Sequence, residues 1–307
     1  KMYWPRGRGW GGSSSINGMI YIRGHPNDYD HWGQLGNTGW SYDDVLPYFK
    51  KSESFQGETS SKYHGFDGPL SVKRAKRTDD LLLDKFIEAG SQAGHPSTND
   101  FNGKQQEGVS RYEHTMKGSK RCSASKAYLH PALKRKNLIT KLNITVNKVI
   151  FDGKKAIGIE YLRKGEKISS FANKEIILSS GSLSSPMILM RSGIGDPKEL
   201  TKLGIKTINR LEGVGKNLQD HIAISTQFES LKPVTLHRSA SKLRMGLSGL
   251  QYLLLKKGDA ANPPCGAGAF LKSNSDKDIP DLQVFYVSVA LNDTHGRKGV
   301  PQDHRFS

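Results

Sequence analysis

The sequence has little cysteine, few acidic residues and no long apolar run. Two cysteines, Cys122 and Cys265, in 307 residues exclude a disulfide framework, and no metal-ligand spacing surrounds them. Both read as plain buried thiols. No apolar stretch approaches the ~20 residues that span a bilayer. The opening Lys1-Met2-Tyr3-Trp4-Pro5 lacks the apolar core of a secretory signal and the amphipathic pattern of a transit peptide, and reads as the middle of a longer chain. Acidic residues number 29 against 46 basic ones, giving a net charge of +17. Such an excess raises nucleic-acid binding, but the basic groups are scattered: Lys73-Arg74-Lys76-Arg77, Lys120-Arg121, Lys134-Arg135-Lys136 and Lys256-Lys257. None is interleaved with aromatic residues as base stacking requires. They read as solvated faces first, and as a patch for anionic lipid or an acidic partner second. No nucleic-acid partner is expected. With 24% charged and 35% hydrophobic residues, the chain is globular and rather polar. A further absence is a strand–GxGxxG–helix unit with a downstream acid, the usual grip on a dinucleotide.

Glycine and serine, by contrast, are concentrated at one place. Gly7-Arg8-Gly9-Trp10-Gly11-Gly12-Ser13-Ser14-Ser15-Ile16-Asn17-Gly18 combines high ordering entropy with almost no side-chain bulk. Such a run needs a reason, either positive φ or close approach of backbone to a ligand. It predicts a loop whose N–H groups lie against a flat or anionic partner. Met19-Ile20-Tyr21-Ile22 follows as a short strand-like stretch, broken by Arg23-Gly24-His25-Pro26. A bland turn or an RNA-touching arginine–glycine segment explains glycine content equally well.

Along the rest of the chain, Asn27–Trp40 reads as turns. Ser41 caps a helix carrying Val45, Leu46, Tyr48 and Phe49, kinked by Pro47. Gly57–Gly68 reads as a polar surface loop, and Thr78 or Asp79 caps a helix that ends at Gly94-His95-Pro96. Phe101–Gly118 is loop-like in composition, and Ser123–Leu133 helical. Leu138–Leu142, Ile144–Phe151, Ala156–Leu162 and Ile168–Ala172 alternate with period two around an Asp152-Gly153 turn, which predicts a β-meander. Glu175-Ile176-Ile177-Leu178 has the continuous apolar character of a strand buried on both faces. It enters Ser179-Ser180-Gly181-Ser182 and a helix from about Ser185-Pro186 to Ser192, ended by Gly193-Ile194-Gly195. Leu243, Leu247, Leu250 and Leu254 form a helical face expected to enter a core. Asp281–Val287 alternates like a strand, with Phe285 and Tyr286 on opposite faces. Asn143-Ile144-Thr145 and Asn292-Asp293-Thr294 fit the glycosylation triplet, a pattern common by chance.

The two small-residue turns resemble the two signatures of the glucose–methanol–choline (GMC) flavin oxidoreductases. The first match runs through Gly7-Arg8, Trp10-Gly11-Gly12-Ser13-Ser14, Ile16-Asn17, Tyr21, Gly24 and Asp30. The second runs through Gly181-Ser182, Ser185-Pro186, Ile188-Leu189 and Ser192-Gly193-Ile194-Gly195. Gly213-Val214-Gly215 and Asn217-Leu218-Gln219-Asp220-His221 are similar to a further family segment, and His221 is given no catalytic role. The resemblance implies FAD, held non-covalently because Ile16, just before the loop asparagine, carries no nucleophile. It places cofactor contacts on Gly9, Gly11, Gly12, Ser13, Asn17, Gly18, Met19 and Ile20. The resemblance also aligns Val146 with the family's valine whose backbone meets the adenine, and implies that Gly181 and Ser182 form a second nucleotide-side turn.

The implied fold class is α/β (α+β overall): an FAD-binding Rossmann-like sheet with a β-meander, plus a substrate domain built on an antiparallel sheet with helices. Residues 1–55 and 137–225 fall to the FAD domain, 56–136 to a substrate-side insertion, and 226–307 to the start of the substrate domain. The implied activity is hydride transfer from a primary alcohol to flavin. Gln106-Glu107-Gly108, Lys120-Arg121 with Ser123-Ala124, and Ala127–Ala132 point to the choline-oxidising branch, which implies a mitochondrial setting. The electron acceptor is a quinone or oxygen, and peripheral membrane contact is a secondary expectation. In the family, the glycine-rich dinucleotide unit comes earlier, and the catalytic histidine and its His/Asn partner later. The chain is therefore expected to be an internal fragment, inactive alone, with no catalytic residue of its own and no metal. The same family acting on glucose or an aryl alcohol, and a basic module without catalysis, are the alternatives.

Overall fold

The computed structural model describes residues 4–57, 62–74, 81–236, 241–263, 265–290 and 305–306. The chain is a mixture of helices and mostly antiparallel strands in two compact units, 139–224 and the remainder. Thr78 and Asp79 as caps, and the triplet at 292–294, lie outside the described residues.

After the glycine-rich loop comes α1 (Pro26–Gln34), where turns were expected. His25 caps it: its Nδ1 accepts from the Asn27 N–H at 3.2 Å, and its own N–H donates to Asp28 at 2.7 Å. With Pro26 in the first turn, the residues that signal a turn here start a helix. Next, α2 (Tyr42–Ser52) begins at the expected Ser41–Asp44 capping box and contains Pro47. It leads into β1 (Glu53–Phe55), which pairs in parallel with β2 (Leu70–Arg74). Then come α3 (Leu81–Gln92), three short strands in the stretch read as loop, β3 (Gly108–Arg111), β4 (Glu113–His114) and β5 (Met116–Lys117), and β6 (Lys120–Arg121) just beyond it. Strands of two to four residues show too little alternation to be read, and the partners of β3 and β4 are distant in sequence: β4 pairs with β2, and β3 with a strand that begins at Cys265. A π-helical turn (Ser125–Leu129) runs into α4 (His130–Ala132).

The meander is β7 (Thr145–Asp152), β8 (Lys155–Arg163) and β9 (Glu166–Phe171), in spatial order 7-8-9. Residues 138–142 and 175–178 are not strands. Ile139 is 82% and Ile177 76% exposed, so an apolar run without a neighbouring strand stays unpaired. The following helix, α5 (Gly181–Arg191), starts earlier than expected and puts Pro186 in its second turn, which leaves the Ser182 carbonyl without its intrahelical donor. α5 packs on β7 through the buried Ser192, whose hydroxyl accepts from the Val149 N–H at 2.8 Å. Gly193, at φ 84°, ends the helix. Short β10 (Ile194–Gly195), α6 (Pro197–Lys202) and β11 (Asn209–Arg210) complete this unit.

The chain then rejoins the first unit with β12 (Phe228–Glu229), α7 (Lys242–Leu255), β13 (Cys265–Leu271), β14 (Leu282–Val287) and β15 (Arg305–Phe306). β13 is the centre of an antiparallel sheet, flanked by β14 and β3. Leu83 of α3 packs on its Ala267, and Tyr112 lies with Phe101 and Cys265 in the adjoining core. As expected for opposite faces, Tyr286 is buried and Phe285 exposed. Both cysteines are free and buried. The α7 leucines contradict the core reading: Leu243, Leu247, Leu250 and Leu254 are all more than half exposed. Among the described residues no helix is long and apolar enough to cross a membrane.

Candidate functional site

The glycine-rich loop folds back on itself. The Gly7 N–H donates to Ser13 Oγ at 3.2 Å, the Gly12 N–H to the Gly9 carbonyl at 3.0 Å, and the Ile16 and Asn17 N–H groups to the Ser13 carbonyl. Gly12–Ser15 makes one 3₁₀ turn. Gly9, Gly11 and Gly12 take φ values of 127°, 87° and 51°, which side chains resist. The glycines divide by what a methyl group would meet. At Gly7 a Cβ would lie 2.1 Å from the Gly12 carbonyl oxygen, so this residue is bare to let the loop close. At Gly9, Gly12 and Gly18 it would meet nothing within 4 Å. Their bareness leaves an open backbone face. Ser13, Asn17 and Gly18 lie on the exposed part of the loop, with Met19 and Ile20 half-buried behind them.

Met19 has φ 65°, and its N–H donates to the Asn17 side-chain oxygen at 3.2 Å. The loop then anchors along β4: the Tyr21 N–H donates to the Glu113 carbonyl, and the Thr115 N–H to the Met19 carbonyl, both at 2.8 Å. Eight of the expected contact residues, Gly9 to Ile20, are thus brought together on one segment.

Behind this segment lies a charged network that sequence reading missed. Arg23 and Glu53 form a buried ion pair at 2.7 Å. His64 sits between two carboxylates, Nδ1 3.1 Å from Glu53 and Nε2 2.9 Å from Asp100. The stretch 57–68 was expected to be surface, yet His64 is fully buried. Its polarity reflects partners supplied by β1 and by residue 100, which composition does not reveal. Burial by itself would lower the His64 pKa, but the hydrogen bonds to Asp100 and Glu53 outweigh it and raise it to about 9. The Arg23 N–H and the Asn102 side-chain oxygen meet at 2.8 Å, and the Asn102 amide donates to the Tyr21 carbonyl. The network thereby fixes the chain just beyond the loop. Arg121, read as part of a solvated face, instead donates to three oxygens of the loop itself. The only sequence signal for it was its place just before Ser123-Ala124.

The remaining site residues belong to unit 139–224. Val146, half-buried in β7, pairs with Tyr161. Gly181 has φ 85° with open space where a Cβ would stand, and with Ser182 it forms the exposed first turn of α5. The Ser180 N–H is satisfied by Ser185 Oγ at 3.0 Å. A bare glycine at a helix start, where backbone N–H groups point outward, suits an anionic group. Among the described residues no cluster of His, Cys, Asp and Glu is arranged to hold a metal.

The family model for the GMC oxidoreductases matches residues 1–223. The chain belongs to this family. It is 44% identical over 302 residues to human mitochondrial choline dehydrogenase and 42% identical over 303 residues to the oxygen-dependent choline dehydrogenase of Brucella ovis, covering 98% of the chain in each case and 50% and 54% of those proteins. The chain thus spans about half the length of the curated relatives it matches. Among solved structures it is similar to pyridoxine 4-oxidase from Mesorbium loti, with a TM-score of 0.82 and 26% identity over 99% of this chain and 56% of that one. Both turns just described fall within the matched residues, and each has a glycine whose missing Cβ leaves open space. The donor set of the first turn, bare backbone with short hydroxyls and one carboxamide, fits a flat, hydrogen-bonding cofactor.

Proposed function

We propose that the chain supplies the flavin-covering loop and one wall of the substrate cavity of an FAD-dependent enzyme that oxidises a primary alcohol of the choline type. The observation that carries this reading is the open backbone face at Gly9, Gly12 and Gly18. Together with Gly11, Ser13, Asn17, Met19 and Ile20 it would lie along FAD. Val146 would meet the adenine, and Gly181 and Ser182 the nucleotide side. Residues 1–55 and 137–225 would form the flavin part, and 56–136 and 226–307 the substrate side. When bound, FAD would supply the acceptor for the hydride of the alcohol carbon, and a base would take the hydroxyl proton. We assign that base to no residue between 1 and 307.

Choline is favoured over glucose or an aryl alcohol by the names of the human and Brucella ovis relatives. At its full encoded length, the protein should bleach its flavin on choline without oxygen. Reduction by glucose or an aryl alcohol alone would reject the substrate and keep the class of reaction. The acceptor is oxygen, named for the Brucella ovis relative, or a quinone. The human relative's name supports a mitochondrial setting. FAD binding is non-covalent in this proposal, since Ile16 is an exposed alkyl chain. Acid precipitation should leave a yellow supernatant, and flavin retained on a peptide around residue 16 would reject the claim.

Peripheral contact with an anionic membrane belongs to the same proposal. The exposed leucines of α7 end at Lys256-Lys257, apolar surface next to positive charge. The protein should co-sediment with phosphatidylserine vesicles and less with neutral ones. Equal, negligible sedimentation with both would remove the membrane from the account.

A further inference from the structure

Arg121 stands at the end of the β5–β6 hairpin, whose two strands pair Met116 with Arg121. Its Nη1 donates to the Ser14 carbonyl at 3.2 Å, the Asn17 carbonyl at 2.8 Å and the Asn17 side-chain Oδ1 at 2.6 Å. A second tie joins the same two segments: the Ala124 N–H donates to Ser14 Oγ at 2.9 Å. One guanidinium therefore grips the loop at two carbonyls and a side chain, more than a hundred residues away in sequence. Hydrogen bonds from a charged donor are the stronger kind.

The third contact has a chemical consequence. Asn17 Oδ1 accepts from Arg121 and also from the Met19 N–H at 3.2 Å. Two donors on one atom settle which end of a carboxamide is oxygen. With the oxygen occupied, Asn17 has only its Nδ2 hydrogens left to offer, and it offers them from an exposed loop position.

We propose that Arg121 is a positioning residue: it locks the loop in its ligand-ready form and turns the Asn17 amide so that Nδ2–H is the group presented to an acceptor on the flavin. This rests on the FAD reading above. The acceptor is a carbonyl or ring nitrogen, the only atoms on the flavin ring system that take such a hydrogen bond.

The test uses the protein at its full encoded length, stripped of flavin and titrated with FAD, with hydrogen exchange of residues 9–20 followed in the flavin-free form. R121A should weaken FAD about tenfold or more, speed exchange across 9–20, and leave exchange in α3 and β13 unchanged. Guanidinium ion at tens of millimolar should restore part of the affinity, which a simple loss of folding would not allow. N17D keeps the acceptor for Arg121 and Met19 but removes the Nδ2 donor. It should keep the loop protected and still weaken FAD. If R121A does not fold, R121K carries the test, since an ammonium cannot reproduce the guanidinium's planar set of donors. It should weaken FAD by less than R121A but measurably. Wild-type affinity and loop exchange retained in R121A, or in R121K where it alone folds, would overturn the proposal and leave the FAD reading standing. N17D binding FAD as tightly as wild type would overturn the assignment of the Nδ2 donor. A wild-type protein that binds no FAD would instead reject the reading on which the proposal rests.

Discussion

Gly7→Ala is expected to abolish tight FAD retention while the rest of the chain stays folded. The added methyl group would lie 2.1 Å from the Gly12 oxygen, 2.3 Å from its carbonyl carbon and 2.7 Å from the Ser13 nitrogen. All three are backbone atoms, so no side chain can swing away, and the loop has to open. Opening breaks the Gly7–Ser13 bond and would scatter the N–H groups proposed to face FAD. Losing two or three such bonds at about 1 kcal/mol each corresponds to roughly 100-fold in affinity. Gly18→Ala is the informative contrast. Gly18 does not use positive φ, and its Cβ would meet nothing within 4 Å of protein. The free protein should keep its melting temperature, yet bind FAD more weakly, because the methyl group would stand on the ligand side. Unchanged FAD affinity in both variants would mean that the loop does not face the cofactor.

Glu53→Ala is expected to destabilise the first unit more than any other single charge removal we consider. Glu53 is fully buried, accepts from Arg23 at 2.7 Å and from the Gly65 N–H at 3.2 Å, and lies against His64. Without it a guanidinium remains inside the protein with, among the described residues, the Tyr63 carbonyl, the Tyr21 hydroxyl and the faces of two rings for company. Breaking a buried pair from one side costs about 3–5 kcal/mol, which is a drop of roughly 6–20 °C in melting temperature at this size. The same network makes stability depend on pH. Held at about 9 against an ordinary 6.5, His64 is protonated in the folded chain at pH values where the unfolded chain has released its proton. Its contribution is fully present below about pH 6.5 and is lost as pH rises through 9. Urea unfolding of wild type should therefore weaken across that window, and the loss should be largely absent in H64Q. A flat profile in wild type would show that His64 is not charged between its carboxylates.

What could be read in the sequence, and what could not, follows the range of the forces involved. Positive φ at Gly9, Gly11 and Gly12 is a local demand, and glycine announces it. The meander is legible because its strands run six to nine residues with two-residue periodicity around Asp152-Gly153. Pro26 and Asp28 misled because turn and helix start use the same residues. The apolar run at 176–178 misled because a strand exists only through its neighbours. His64 and Arg121 were unreadable for the same physical reason: a polar side chain looks solvated until its partners, Glu53, Asp100, Ser14 and Asn17, are placed beside it by the fold. The α7 leucines have helical spacing, and spacing alone does not say what covers them.

The most direct test of the central claim is hydrogen exchange, read by mass spectrometry, on the protein at its full encoded length with and without FAD. The account predicts that FAD slows exchange in residues 9–20 and around 181–182, with little change in α3, β13 or α7. Protection by FAD confined to other segments, with 9–20 exchanging equally fast in both states, would contradict it.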